Sequence, residues 1–236
     1  PSPPEIRDTI MKNLSVVEGM DLEALRAGIE WGFESFSDYM DALDRIGPYP
    51  NLAVLVGHSA VRTATMGNDA WERETPTDDE LATMRGMIDE AMRQGAVGFA
   101  SSFSINHVGH GGIPMPSTIA TVDEFSHLAE AVGDAGRGIV QMSAGGRGTV
   151  EAMEPIVEKI GRRMFLTTGA AMYNASDPER GRSWFADCAA AKERGNELYI
   201  QIPCQPLSFD FTMANAYPFF SHSAFDGIKA YSPEQL

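Results

Sequence analysis

The sequence predicts an α/β fold built on a parallel sheet, and two architectures fit it: an open doubly wound sheet and a (β/α)8 barrel. Three observations carry this. Short apolar runs alternate several times with amphipathic helical stretches, and strands joined through helices run parallel. The joins from helix to strand are clipped to a glycine or two. The long loops all follow strands. That asymmetry favours the (β/α)8 TIM-barrel, in which one rim carries function, with about five of the eight strands in this 236-residue chain.

Residues 1–50 read as a helical lead-in. Ile6 to Leu14 forms one helix, and Asp21 caps a second that runs to Ile29. Trp31, Phe33 and Phe36 flank a turn. Ser37 then caps a helix whose Tyr39, Met40, Leu43 and Ile46 share one face, and Gly47-Pro48 ends it. The next stretch, NLAVLVGHSAVRTATMG from Asn51 to Gly67, is the pivot of the chain. Its run Leu52 to Val56 predicts a strand buried on both faces. The run stops at Gly57, presents His58 and Ser59, and turns into a helical segment carrying Arg62.

Thr77-Asp78-Asp79-Glu80 is a capping box opening a helix to Gln94, with Leu81, Met84, Ile88 and Met92 as its stripe. Gly95 stops that helix, and Ala96 to Ser101 is the second strand. The loop SFSINHVGHGGIPMPSTIA follows, too rich in glycine and proline for regular structure and too long for a connector. Thr121-Val122-Asp123-Glu124 repeats the capping box before a helix to Gly136. GIVQMSAGG is the third strand, Thr149 to Gly161 a helix and RMFLTTGAA the fourth strand. Pro178 stands near the start of the helix ERGRSWFADCAAAKERG, and ELYIQIPCQP supplies the fifth strand.

A formal charge of −15 excludes the basic stripe that nucleic acid requires, and equally a polybasic contact with a membrane surface. No apolar run is long enough to span a bilayer, and the opening PSPPEIRD lacks the shape of a signal peptide. Cys188 and Cys204 form neither a disulfide framework nor a zinc knuckle and suit a reducing compartment, so a cytoplasmic location is expected. No nucleophile elbow, phosphate loop or dinucleotide fingerprint occurs.

Position nominates the residues that follow strands. His58 and Arg62 stand after the first; Ser101, Ser102, Asn106 and His107 stand after the second, where a substrate carboxylate or acyl group would be met. A guanidinium grips a carboxylate bidentately, which makes Arg62 the natural anion anchor and Arg147 a second one. The bland alternatives are a loop hydrogen bond for His58 and an ion pair for Arg62. His107 and His110 are three residues apart, a spacing that ligates metal on a helix, but they lie in a glycine-rich loop with no carboxylate beside them. His127 lies within a helix, and His222 follows two aromatics near the end of the chain.

The stretch NLAVLVGHSAVRTATMG, followed by TPTDDELATMRGMIDEAMRQGAVGFASS and AGRGIVQ, resembles the D-aminoacylase (N-acyl-D-amino-acid deacylase) branch of the amidohydrolase superfamily. The likeness covers most of Trp31 to Gln141. It implies a metal-dependent hydrolase on a barrel, in which a zinc-bound hydroxide attacks an amide carbonyl. In that family an H-x-H pair ends the first strand, a Cys the second, a His each the fifth and sixth, and an Asp the last. The first strand here matches the family's third, so residues 1–236 would hold family strands 3 to 7. Strands 1, 2 and 8, and any small β-sandwich domain, would lie outside.

Where the fifth strand of the family presents its His, this chain has Gln141-Met142-Ser143. On the sixth it has Thr167-Thr168-Gly169, so no metal ligand is expected within the chain, and Cys204 reads as a packed thiol. Gln141 and Ser143 join His58, Arg62, Ser101, Asn106 and His107 as substrate-binding candidates. The resemblance implies an enzyme hydrolysing the C–N bond of an N-acyl amino acid-like small molecule, with zinc held mostly by residues outside this chain. The alternatives are an inactive barrel that binds a small molecule or partner, and one part of a split enzyme completed by a companion chain or a second copy.

Overall fold

The computed structural model describes residues 2–167, 177–202, 204, 224 and 227. Five strands, β1 Leu55–Gly57, β2 Gly98–Ser102, β3 Ile139–Ser143, β4 Met164–Leu166 and β5 Leu198–Ile200, form one sheet in the order β1-β2-β3-β4-β5. Every neighbouring pair is parallel, and Val56, Phe99, Val140, Met164 and Leu198 stand in one register row. A doubly wound sheet reverses its strand order at a switch point. Here there is no reversal. Right-handed crossovers taken always in one direction put every connecting helix on the same face, which is the layout of a barrel wall.

The helices are α1 Arg7–Val17, α2 Leu22–Gly28, α3 Phe36–Ile46, α4 His58–Met66, α5 Asp78–Arg93, α6 Pro116–Ile119, α7 Val122–Asp134, α8 Val150–Ile160 and α9 Arg180–Glu193. Side by side along the sheet, α4 packs on α5, α5 on α7, α7 on α8 and α8 on α9. The core lies between this layer and one face of the strands. Met84, Ile88 and Met92 of α5, Phe125, Leu128 and Val132 of α7, and Met153 and Val157 of α8 meet Val56, Phe99, Val140, Met142, Met164, Leu166 and Leu198. The alternate row, Gly57, Ala100, Gln141, Phe165 and Tyr199, faces away from the helices. Gly98 opens β2 with φ 151°, and a Cβ there would sit 1.9 Å from the Ile139 carbonyl oxygen; only glycine lets β2 and β3 pair so closely.

Several local expectations need correction. The first strand is not a five-residue element buried on both faces: β1 begins at Leu55, only Val56 is buried, and Leu52 is 50% exposed. β1 pairs with β2 alone among the described residues and is roofed by helices on one side. The cap of α3 is Ser35, not Ser37; Ser35 and Asp38 exchange both capping-box bonds, and Gly47 closes the helix in the left-handed conformation. The loop after β2 is not wholly irregular. A 3-10 turn spans His110–Gly112, and α6 starts at Pro116, where proline's fixed φ suits a first helical position.

Candidate functional site

The carboxyl ends of the strands bring most of the nominated residues to one end of the sheet, divided between its two faces. The division falls between Ser101 and Ser102, because successive strand residues point to opposite sides. Ser101 turns toward the helices and Ser102 away from them.

On the helix side, α4 begins at His58 with no loop after β1, which drives the imidazole into the core at 1% exposure. Its Nε2 lies 2.8 Å from Glu124 Oε1 and its Nδ1 2.8 Å from Ser101 Oγ. The second oxygen of Glu124 accepts from Arg62 Nη1. Arg62 is fully buried; its Nε donates to the Ala70 carbonyl at 2.9 Å, and its Nη2 donates to the carbonyls of Arg73 and, at 3.0 Å, Glu74. Residues 70–74 therefore wrap a guanidinium whose three nitrogens are all engaged.

Burial holds the His58 pKa below its ordinary value, against the pull of Glu124. Burial would raise Glu124, but the bonds from His58 and Arg62 outweigh it and the carboxyl stays ionised. These directions fix the proton positions. An ionised Glu124 can only accept, so neutral His58 carries its proton on Nε2, and Nδ1 accepts the Ser101 hydroxyl proton. One buried cation, one anion and two neutral groups balance. The cluster ties β1, β2, α4 and α7 together.

Glu124 escaped the sequence reading. It stands third in α7 behind Thr121, whose side chain accepts the Glu124 N–H at 3.1 Å. At Thr77 and Glu80 the capping box is complete, Glu80 Oε2 taking the Thr77 N–H at 2.7 Å. At Thr121 the return bond is missing, because the carboxylate turns inward to His58 and Arg62. T-x-x-E is the same in both places, and no local signal separates them.

On the open face, Ser102 Oγ lies 2.7 Å from His107 Nδ1 and accepts the Ser104 N–H at 3.2 Å. Burial lowers the His107 pKa and favours the neutral imidazole. Ser143 pairs with Ser102 in the β2–β3 register and its Oγ lies 2.9 Å from Thr167 Oγ1. Gln141 Nε2 donates to Gln201 Oε1 at 3.0 Å. Phe165 and Tyr199 stack with centroids 5.5 Å apart. Asn106 is exposed on the loop beside His107.

Other nominated groups lie elsewhere. Arg147 donates to the carbonyls of Ala120, at 2.9 Å, and Thr118, and its guanidinium lies 4.7 Å from the Phe103 ring centroid, so it pins the α6–α7 join. His110 is exposed, with its N–H on Asn13 Oδ1 at 3.1 Å. Cys204 is exposed rather than packed, while Cys188 is buried. Thr168, Gly169 and His222 lie outside the described residues. Among the described residues no three His, Cys, Asp or Glu side chains converge as a metal site requires. The amide and hydroxyl groups at the ends of β3 to β5 bond to one another and are poor partners for zinc.

No family model matches the chain. A D-aminoacylase of Alcaligenes xylosoxydans xylosoxydans is 32% identical over 165 residues, covering 69% of this chain and 31% of that protein. The chain is similar to D-aminoacylase and the related N-acyl-D-amino-acid deacylases over part of their length. A crystal structure of N-acyl-D-glutamate deacylase from Bordetella bronchiseptica, complexed with zinc and a phosphonate mimic of the tetrahedral intermediate, superposes with a TM-score of 0.62. It is 26% identical, over 78% of this chain and 36% of that one. A D-aminoacylase with a binuclear metal centre superposes at 0.59 and 23% identity, over 72% of this chain and 34% of that one, a likeness of fold. The sheet is thus a sector of a D-aminoacylase-type barrel. The chain spans about a third or less of the length of the curated relatives it matches.

Proposed function

We propose that the protein carrying this chain hydrolyses the C–N bond of an N-acyl amino acid-like small molecule. The observation that supports this most directly is the superposition on a zinc- and phosphonate-bound deacylase, together with a parallel sheet whose carboxyl ends gather polar groups on the open face. In this reading residues 1–236 hold strands 3 to 7 of eight. Among the described residues β1 and β5 are the edges of the sheet, and in this reading each pairs with a further strand, since unpaired edges invite aggregation. Zinc held by residues outside this chain would supply an activated water. His107, Asn106, Gln141 and Ser143 are the groups placed to touch substrate. His58, Arg62 and Ser101 act one layer behind, fixing the end of β2 from which Ser102 and His107 project. A cytoplasmic location agrees with the two free cysteines, and among the described residues no helix is long and apolar enough to cross a membrane.

The deciding experiment is amine release from a panel of acidic and neutral N-acetyl-D-amino acids by the full protein, with zinc measured on the same sample. Hydrolysis that a chelator abolishes and zinc restores is the expected result. Failure on the whole panel by a protein without zinc would replace this proposal with a binding barrel.

A further inference from the structure

We infer that the carboxyl ends of β3, β4 and β5 form a neutral amide-binding subsite that holds no metal, built from Gln141, Gln201, Ser143 and Thr167. The chemistry follows from which hydrogen-bonding groups are used and which are left. Gln141 and Gln201 spend one donor and one acceptor on each other at 3.0 Å. Each primary amide has both a carbonyl and an NH2. The pair therefore keeps a carbonyl on Gln141 and an NH2 on Gln201, neither bonded among the described residues. One acceptor and one donor side by side are the complement of a secondary amide, and flipping both side chains preserves the pattern. Ser143 and Thr167, joined at 2.9 Å, lie on the same face two residues beyond Gln141 and Phe165, in the row that continues to Gln201.

Charge points the same way. Among the described residues no charged side chain belongs to the row of Ser143, Thr167 and Gln201. The charged groups described near it flank Tyr199: Glu197 accepts the Tyr199 hydroxyl proton at 2.6 Å and pairs with Arg163 at 3.3 Å, and Lys192 Nζ lies 5.6 Å from the Tyr199 ring centroid. Among the described residues a carboxylate or phosphate would find no cation in the row, and the neighbouring imidazole of His107 has its Nδ1 taken by Ser102, with no second metal-binding side chain beside it. An uncharged amide loses water and regains both of its hydrogen bonds there, with the stacked Phe165 and Tyr199 forming an apolar floor toward the amino ends of the strands.

The inference rests on the amidohydrolase reading only for the choice of probe, N-acetyl-D-glutamate. Its dissociation constant from the full protein is measured by calorimetry, and zinc content by elemental analysis, for wild type, Gln141→Leu and Thr167→Val. Both positions are half-exposed, and an unchanged circular dichroism spectrum certifies each fold; Ser143→Ala replaces any variant that fails this check. The expected result is wild-type zinc content with binding weakened about three- to tenfold, the worth of one or two neutral hydrogen bonds. Zinc that falls in either variant overturns the inference, because the strand ends would then hold metal. Undiminished affinity in both variants, or no binding by wild type, overturns it equally. A wild type that binds the probe without releasing amine refutes the hydrolase reading and leaves the subsite standing.

Discussion

Removing the charge of Glu124 should cost far more than removing any surface carboxylate, although it is an isosteric change. Glu124 is 3% exposed and receives His58 at 2.8 Å and the Arg62 guanidinium. Glu124→Gln leaves that guanidinium without a counter-charge in a site from which water is excluded. Taking one member from a buried pair costs about 3–5 kcal/mol, because the charge left behind keeps its desolvation penalty. Arg62 retains the carbonyls of Ala70, Arg73 and Glu74, which places the cost toward the lower end, about 3 kcal/mol. Against a whole-domain stability of about 5–15 kcal/mol this is a large fraction. Urea unfolding of the full protein, followed by tryptophan fluorescence, measures it. The control is Glu23→Gln, which breaks a surface pair with Arg26 and should change stability by less than about 1 kcal/mol. The double variant Arg62→Met, Glu124→Met should lose less than the sum of its single changes, because it removes both charges together. A Glu124→Gln protein within about 1 kcal/mol of wild type, or one whose loss simply adds to that of Arg62→Met, would refute the buried-pair account.

The same cluster makes the fold acid-sensitive. The pKa of His58 is depressed from 6.5 and that of Glu124 from 4.5, so below each of those values the unfolded chain takes up a proton that the folded chain refuses. Stability therefore falls as pH drops below about 6.5 and falls more steeply below about 4.5; an unfolding midpoint that rises between pH 7.5 and 5 would contradict this. The two thiols should separate cleanly. Cys188 is buried and its pKa is pushed up to about 11, whereas Cys204 is exposed, so a thiol reagent at neutral pH should modify Cys204 and reach Cys188 only on unfolding. Equal labelling rates in the native protein would contradict the placement of Cys188.

Periodicity and caps made the helices legible. Asp21, Thr77 and Thr121 cap where the sequence places them, although at Thr121 only half of the expected box forms, and Gly47 and Gly161 end helices in the left-handed conformation. Such signals act within one turn of chain and are complete in the local sequence. The strands were harder. Leu52 to Val56 has the composition of a fully buried strand, but composition does not say how many neighbours a strand has, and among the described residues β1 has one. α6 was missed for a different reason: four residues beginning at Pro116 are too short to show a helical period.

The site was legible in location and not in orientation. Position at the ends of strands nominated His58, Arg62, Ser101, Asn106, His107, Gln141 and Ser143, and the carboxyl end of the sheet carries them. A strand residue's face is decided by a register one step fine. Ser101 and Ser102 are chemically identical, yet one hydroxyl bonds His58 and its neighbour meets His107. Arg62 shows the same limit. A guanidinium after a strand reads as an anion anchor until its partners are known, and those partners, Glu124 and the carbonyls of residues 70–74, are set by tertiary folding. An arginine so enclosed cannot select a substrate by direct contact in this arrangement. It acts through the carboxylate that holds His58, and so through the end of β2, on the row of neutral groups that remains open.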